Sequence, residues 1–126
     1  MRRDPRVQKI LEALADDPPP QMDVRAFAQS VNLSAFRLYH LFKLDMGVSL
    51  GQFVRSRRME QVKRLLADSF LSVKEVMAAT GFAEANEASF IREFRQMFGM
   101  MPREFRRLAG RAKRSRSVER AVRKAA

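Results

Sequence analysis

A spacing of 52 residues repeats within this chain of 126 residues. Four positions of the first half return in the second half with the same intervals between them: Leu38, Phe42, Gly47 and Phe53 recur as Phe90, Phe94, Gly99 and Phe105. A spacing that is kept from one helix through a glycine to the next helix indicates one supersecondary unit used twice. The chain is therefore expected to contain two copies of one helical unit.

The two copies are not in perfect register. Ahead of the repeated helix the offset falls to 49, as three pairs of positions show: Val24 and Val73, Phe27 and Val76, Asn32 and Gly81. The difference of three residues lies between the turn and the second helix of each unit. We therefore expect the second helix of the first unit and the second helix of the second unit to be oriented differently.

The first copy has the signals of a helix-turn-helix unit over residues 23–47. Asp23 can cap one helix, and Asn32 tolerates the left-handed backbone of a tight turn. Ser34 can cap a second helix, which ends near Gly47. Helix, short turn and helix in this order are typical of a helix-turn-helix motif.

A long helix and a second unit follow. The linker helix is predicted over about 49–68, with four basic residues facing outward: Arg55, Arg57, Lys63 and Arg64. The second helix-turn-helix unit is predicted over about 72–99, and a closing helix over about 102–109. No stretch alternates with period two, so no strand is expected. The predicted fold is all-α, with two helix-turn-helix subdomains, a linker helix and about seven helices.

Positive charge is concentrated at the C-terminal end. Of the formal net charge of +11, residues 106–126 carry +8, because they contain nine arginine and lysine residues and one glutamate. This supports an anionic partner but does not locate the binding face. Residues 110–126 contain few branched apolar side chains, so they are expected to form a disordered basic tail or a transient basic helix.

Several classes of protein are not expected. The chain has no cysteine and a single histidine, which excludes disulfides and thiol nucleophiles and argues against a metal site. The sequence shows no arrangement of a nucleophile with a base, so neither an enzyme nor a cofactor is expected. No apolar run approaches the ~20 residues of a membrane span. A soluble cytoplasmic protein that does not bind membranes is the expectation.

The helix-turn-helix signals belong to a wider pattern of spaced residues. In the first unit it comprises Ala28, Ser34, Leu38, Leu41, Phe42, Lys43 and Gly47, followed by Arg58, Leu65 and Leu66. In the second unit it comprises Ser72, Val73, Val76, Gly81, Phe82, Phe90, Arg92, Phe94, Arg95, Gly99, Pro102, Phe105 and Arg106. With this pattern, residues 24–106 resemble the DNA-binding domain of the AraC/XylS family of bacterial transcription regulators. The segment 49–59 is especially similar to the linker helix of the small stand-alone MarA/SoxS/Rob type.

The resemblance implies a sequence-specific regulator of transcription that binds double-stranded DNA, with residues 1–109 as its DNA-binding domain. It implies a monomer on the bacterial nucleoid that places two recognition helices in successive major-groove segments. An activator is favoured over a repressor, and RNA polymerase is a further expected partner. A linker helix of ~20 residues spans ~30 Å, which is comparable to the ~34 Å between successive major-groove faces.

The resemblance also implies candidate DNA contacts. Base-reading candidates are Phe36, Tyr39, His40, Ser89 and Arg92. Phosphate-binding candidates are Arg37, Lys43, Arg55 and Arg95. Three alternatives stay open: Phe36 as a partly buried residue at a helix start, His40 as a solvated surface residue, and Arg92 in an ion pair with Glu87 or Glu93.

The second unit departs from the family pattern. Met77 stands where the family usually has alanine, and the interval from Gly81 to Phe90 is longer than usual by two residues. The second recognition helix is therefore expected to be re-aimed or weak. Two other functions remain as alternatives: a nonspecific nucleic-acid-binding protein driven by the basic tail, and a protein–protein adaptor built on a helix-turn-helix scaffold.

Overall fold

The structure, a computed structural model, describes residues 3–15 and 18–125. Its helices, in chain order, are α1 (Pro5–Ala13), α2 (Val24–Ser30), α3 (Ala35–Met46), α4 (Leu50–Asp68), α5 (Val73–Ala79), α6 (Glu87–Phe98) and α7 (Pro102–Ala125). The described ranges contain no strand, which confirms the predicted all-α fold with two helix-turn-helix units joined by a long helix. None of the helices in these ranges is long and apolar enough to cross a membrane. The chain divides into two compact units, Met1–Gln61 and Val62–Ala126, with the boundary inside α4.

Local capping fixes the helix-turn-helix of the first unit. The Asp23 side chain accepts a hydrogen bond from the backbone N–H of Ala26, and this satisfies one of the free donors at the start of α2. Ser34 caps α3 in the same way. Asn32 has a φ of +59° and Gly47 one of +79°, so both adopt the left-handed backbone that the sequence predicts for them.

The core of the first unit is formed by α1, α2, α3 and the start of α4. Its buried residues are Val7, Ile10, Leu14, Ala28, Leu38, Phe42, Leu50 and Val54. The ring of Phe42 lies edge-on to that of Phe53, with 5.6 Å between the ring centroids. Because α3 turns Leu38 and Phe42 toward this core, its opposite face is left outside.

Arg57 does not face outward as predicted. Its guanidinium donates hydrogen bonds to the backbone carbonyl of Leu14, at 3.0 Å, and to that of Ala15. Arg58 donates in the same manner to the carbonyl of Pro19, at 3.0 Å. The carbonyls at the end of a helix lack intrahelical partners, so α4 satisfies acceptors that follow α1. A pattern of polar residues on a helix cannot show that a long side chain will return to the protein.

We expect Arg57→Ala to lower the free energy of unfolding by about 1–3 kcal/mol, because the part-buried carbonyl of Leu14 and the exposed carbonyl of Ala15 lose a charged donor. Urea denaturation followed by circular dichroism measures this change. Arg25→Ala is the matched control, since Arg25 is exposed on α2 and a surface substitution of this kind changes stability by about 0.5 kcal/mol or less. Equal stability of the two variants would contradict the structural role of Arg57.

The core of the second unit is formed by the end of α4 together with α5, α6 and the start of α7. Its buried residues include Val62, Leu66, Val76, Met77, Phe82, Phe90 and Phe94. The Phe94 ring lies 4.7 Å from that of Phe98 and 6.1 Å from that of Phe105, measured between centroids. Lys63 was predicted to face outward, but its ammonium lies 4.8 Å from the Phe98 ring centroid. A cation over an aromatic face is attracted by the ring quadrupole, which explains the difference.

The turn of the second unit is longer than that of the first. Four residues, 31–34, separate α2 from α3, whereas seven residues, 80–86, separate α5 from α6. Gly81 adopts a φ of +91°, and Asn86 caps α6 by accepting a hydrogen bond from the Ser89 N–H at 3.2 Å. The three additional residues account for the change of offset in the sequence repeat.

The closing helix extends further than predicted. The sequence places its end near residue 109 and a disordered tail or a transient basic helix over 110–126, whereas α7 continues to Ala125. Arg106 donates to the carbonyl of Leu66 at 3.1 Å, and Lys113 donates to the carbonyl of Ala67 at 2.6 Å. Burial does not hold the extension, because residues 111–125 are exposed. Its alanine, arginine and lysine residues are good helix formers and neither proline nor glycine occurs after Gly110, so the helix propagates through Gly110 from its anchored start.

Candidate nucleic-acid interface

The outer face of α3 carries the predicted base-reading residues of the first unit. Phe36 is 79% exposed and Tyr39 is 46% exposed, and His40 lies on the same exposed face. The alternative interpretation of Phe36 as a partly buried residue is therefore wrong. The predicted phosphate contacts Arg37 and Lys43 are also exposed on α3.

Two shallow grooves run beside this face. One, of about 310 Å³, lies between α3 and the start of α1 and is lined by Phe36, Arg37, His40 and Leu44, among others. The second, of about 550 Å³, is also lined by Phe36, His40 and Leu44. Leu44 is 72% exposed and was missed by the sequence analysis, although its place four residues after His40 could have indicated it. We refer to the exposed row Phe36, Tyr39, His40 and Leu44 as the α3 face.

Cations surround the α3 face. Arg6 of α1 lines the first groove, and Lys43 lines the second. Arg6 forms an ion pair with Asp4, whose pKa is held below its ordinary value first by the side-chain hydrogen bond from Arg6. No carboxylate lines either groove within the described part of the chain. Sequence reasoning missed Arg6, because only the folded structure brings the start of α1 beside α3.

The exposed face of α6 carries the candidates of the second unit. Phe90 and Phe94 are buried, so Ser89, Arg92 and Arg95 lie on the opposite, exposed side of the helix. Arg92 makes no ion pair within the ranges 3–15 and 18–125, so the alternative pairing with Glu87 or Glu93 is not observed there. Its guanidinium remains available to an acceptor of a partner.

Arg55, the remaining phosphate candidate, is exposed on the part of α4 that belongs to the first unit. Burial, and next the charge of Arg55, lower the pKa of Arg58. Arg58 is a half-buried side chain that carries a hydrogen bond to the protein backbone, whereas Arg55 is the solvent-facing charge of the pair. Arg58 therefore binds the protein backbone, whereas Arg55, three residues earlier, is a surface cation.

Each unit therefore exposes one helix whose outer face combines hydrogen-bonding groups with cations. A helix of this kind fits the major groove of B-DNA, where base edges present distinct patterns of donors and acceptors. Tyrosine, histidine and arginine can bond to those edges, and exposed lysine and arginine neutralise phosphates. The arrangement contains the chemistry needed for DNA binding.

Comparison with known proteins agrees with this chemistry. A family model described as "Helix-turn-helix domain" matches residues 27–108. The arabinose operon regulatory protein of Escherichia coli strain K12 is 34% identical over 99 residues, which cover 79% of this chain and 32% of that protein. This chain thus spans about a third of that relative's length. The multiple antibiotic resistance protein MarA of Salmonella typhimurium is 25% identical over 100 residues, covering 79% of this chain and 77% of MarA.

Among solved structures, the DNA-binding domain of AdpA, a global transcriptional factor, was determined in complex with a target DNA. It matches with a TM-score of 0.61 and 30% identity, over 87% of this chain and 93% of that one. The family model alone covers more than half of the chain, and the pattern of spaced residues agrees with it. The chain belongs to the AraC/XylS family of helix-turn-helix transcription regulators, which bind DNA and are not enzymes.

Proposed function

We propose that this chain regulates transcription by sequence-specific binding to double-stranded DNA, with α3 and α6 as its two recognition helices. The observation that carries the proposal is the α3 face, where Phe36, Tyr39 and His40 stand exposed among cations on the second helix of a helix-turn-helix unit. A relative with the same fold and 30% identity was solved on a target DNA, which supports the same class of partner here.

The residues divide by chemistry. The Tyr39 hydroxyl and the His40 ring can hydrogen-bond to base edges, and the planar fork of Arg92 suits the O6 and N7 acceptors of guanine. Ser89 is a lesser candidate for a base contact. Phosphate contacts are assigned to Arg37, Lys43, Arg55 and Arg95, because about half or more of protein–DNA hydrogen bonds go to the backbone and fix the register of the protein.

The finer points of the proposal concern the whole regulator. One monomer engages successive major-groove segments with both helices. The regulator acts as an activator on the nucleoid in the cytoplasm and contacts RNA polymerase. Family membership and the presence of two helix-turn-helix units support this picture. The long turn before α6 favours unequal contributions from the two units, with α3 as the stronger reader.

Selection of binding sites from random duplex DNA at ~150 mM salt tests the proposal. We expect an enriched motif with two parts. Tyr39→Ala and His40→Ala should relax base preference in one part, and Arg92→Ala in the other, since a good base contact contributes ~1–3 kcal/mol of discrimination. Phe70→Ala is the control: Phe70 is fully exposed in the loop between α4 and α5 and belongs to neither reading face.

The outcomes separate the alternatives. Absence of any enriched motif would overturn the proposal, and binding to all duplexes alike would then favour a nonspecific nucleic-acid-binding protein. No binding to any duplex would favour a protein–protein adaptor. An enriched motif with a single part, insensitive to Arg92→Ala, would show that α6 does not read bases.

A further inference from the structure

The α3 face is more apolar than contact with phosphates requires. Phe36 and Leu44 are 79% and 72% exposed, yet they lie on one face of one helix. Scattered exposed apolar residues are normal, whereas apolar side chains grouped on one face mark an interaction site. This grouping indicates a partner that offers apolar atoms of its own.

Two apolar residues and one histidine form a row along the helix. Phe36, His40 and Leu44 follow one another at intervals of four residues, so they lie on the same side of α3. At ~1.5 Å per residue the row is about 12 Å long. Stacked base pairs are ~3.4 Å apart along one strand, so the row matches a run of three to four base pairs.

The charges beside the row indicate an anionic partner. Arg37 and Lys43 border the two grooves, as does Arg6, which is in an ion pair with Asp4, and no carboxylate lines either groove in the described ranges. Asp45, the acidic residue of α3, is in an ion pair with Arg3, with 3.7 Å between Nε and Oδ2. An apolar row bordered by cations fits duplex DNA, which combines phosphates with the edges of its bases.

In the major groove the apolar group on a base edge is the C5-methyl of thymine, while the other groups there are hydrogen-bond donors and acceptors. An apolar side chain placed against one of those polar groups would bury it without a partner, which costs free energy. We propose that Phe36 and Leu44 read thymine methyl groups, so that the site of the first unit contains thymines about three base pairs apart. This inference rests on the proposed function, because it requires α3 to enter the major groove.

Replacement of thymine by deoxyuridine tests the inference. Deoxyuridine pairs as thymidine does and lacks only the methyl group. In the duplex selected by the unaltered protein, each thymine is replaced in turn and affinity is measured by fluorescence anisotropy at ~150 mM salt. We expect about fourfold weaker binding at each thymine that is read, from the loss of one buried methyl group.

Two variants assign each methyl group to a side chain. Phe36→Ala should abolish the effect of deoxyuridine at one thymine, and Leu44→Ala at another. Phe70→Ala should leave both effects unchanged, because Phe70 is equally apolar and exposed but lies in the second unit. Circular dichroism verifies that the variants remain helical.

Effects of deoxyuridine that vanish in Phe36→Ala and Leu44→Ala support the inference. A selective site whose affinity is unchanged by every deoxyuridine overturns it and leaves the proposed function intact. So does a site at which the effects persist in both variants. Failure to select any site overturns the proposed function and this inference with it.

Discussion

Phe42→Ala is expected to lower the free energy of unfolding of the first unit by about 3–5 kcal/mol, because a fully buried aromatic side chain is lost and a cavity is left behind. Phe42 has no exposed surface and packs against Phe53 in the core that supports α3. Small domains are stable by only about 5–15 kcal/mol, so the loss is a large share of the total. Thermal and urea denaturation followed by circular dichroism measure it.

The matched control is Phe36→Ala on the same helix. Phe36 is 79% exposed, so its removal should change stability by about 0.5 kcal/mol or less while it alters DNA binding. Phe42→Ala should lower DNA affinity only by depopulating the folded first unit, and affinity should therefore recover on cooling to temperatures at which the unit is folded. Equal destabilisation by the two variants would contradict the division of α3 into a core face and a reading face.

The repeat makes a parallel test possible in the second unit. Phe94 stands 52 residues after Phe42 and is also fully buried. Phe94→Ala should therefore destabilise the second unit by a similar amount, about 3–5 kcal/mol. If the two units contribute unequally to DNA binding, Phe42→Ala and Phe94→Ala should lower the affinity for DNA by different amounts, although they lower stability by similar amounts.

Much of the helical framework can be predicted from the sequence because its signals are local. Ser34 caps α3, Asn32 takes the left-handed turn and Gly47 ends the helix, each through groups within a few residues of one another. The face of α3 that is buried also follows from spacing alone, since Leu38 and Phe42 are four residues apart. Tyr39 and His40 are then predicted to be exposed, because they lie on the opposite face of the helix.

The remaining features depend on contacts distant in sequence. Arg57 reaches carbonyls 42 and 43 residues away, and Lys63 lies over the rings of Phe98 and Phe105. A polar pattern assigns such side chains to solvent because it contains no information about their partners. The position of Arg6 beside the α3 face was not predicted for the same reason, because it depends on how α1 packs.

Truncation of the chain after Gly110 is also expected to have a large effect, because it should weaken the dependence of DNA affinity on salt concentration. Residues 111–125 contain seven arginine and lysine residues against one glutamate, and they are exposed along α7. Each phosphate neutralised contributes a slope of about −0.9 in the logarithm of affinity against the logarithm of salt concentration. Loss of the segment should reduce the magnitude of that slope by up to about five, while the selected motif stays the same.

The helical extension of α7 strengthens this expectation. Arg116 and Arg120 lie four residues apart on one side of the helix, and like charges at this spacing destabilise a helix by about 0.2–0.5 kcal/mol per pair. An anionic partner removes the repulsion, so binding of phosphates and helix formation should favour each other. The loss of helix content on heating, followed by circular dichroism, should therefore shift to higher temperature when the full chain binds DNA, and shift less in the truncated chain.

A variant of full length distinguishes the effect of lost positive charge from the effect of a shorter chain. Arg114, Arg116 and Arg120 are changed to glutamine together, and Lys113 is kept because it pairs with Asp68 and anchors the helix to the end of α4. If each arginine meets a phosphate, the slope should fall in magnitude by about three, with the motif unchanged. A truncated chain that binds no duplex at all would instead show that the basic segment carries the binding, as in a nonspecific nucleic-acid-binding protein. A slope that both changes leave unaltered would show that this segment meets no phosphate, because released counterions are the source of the salt dependence.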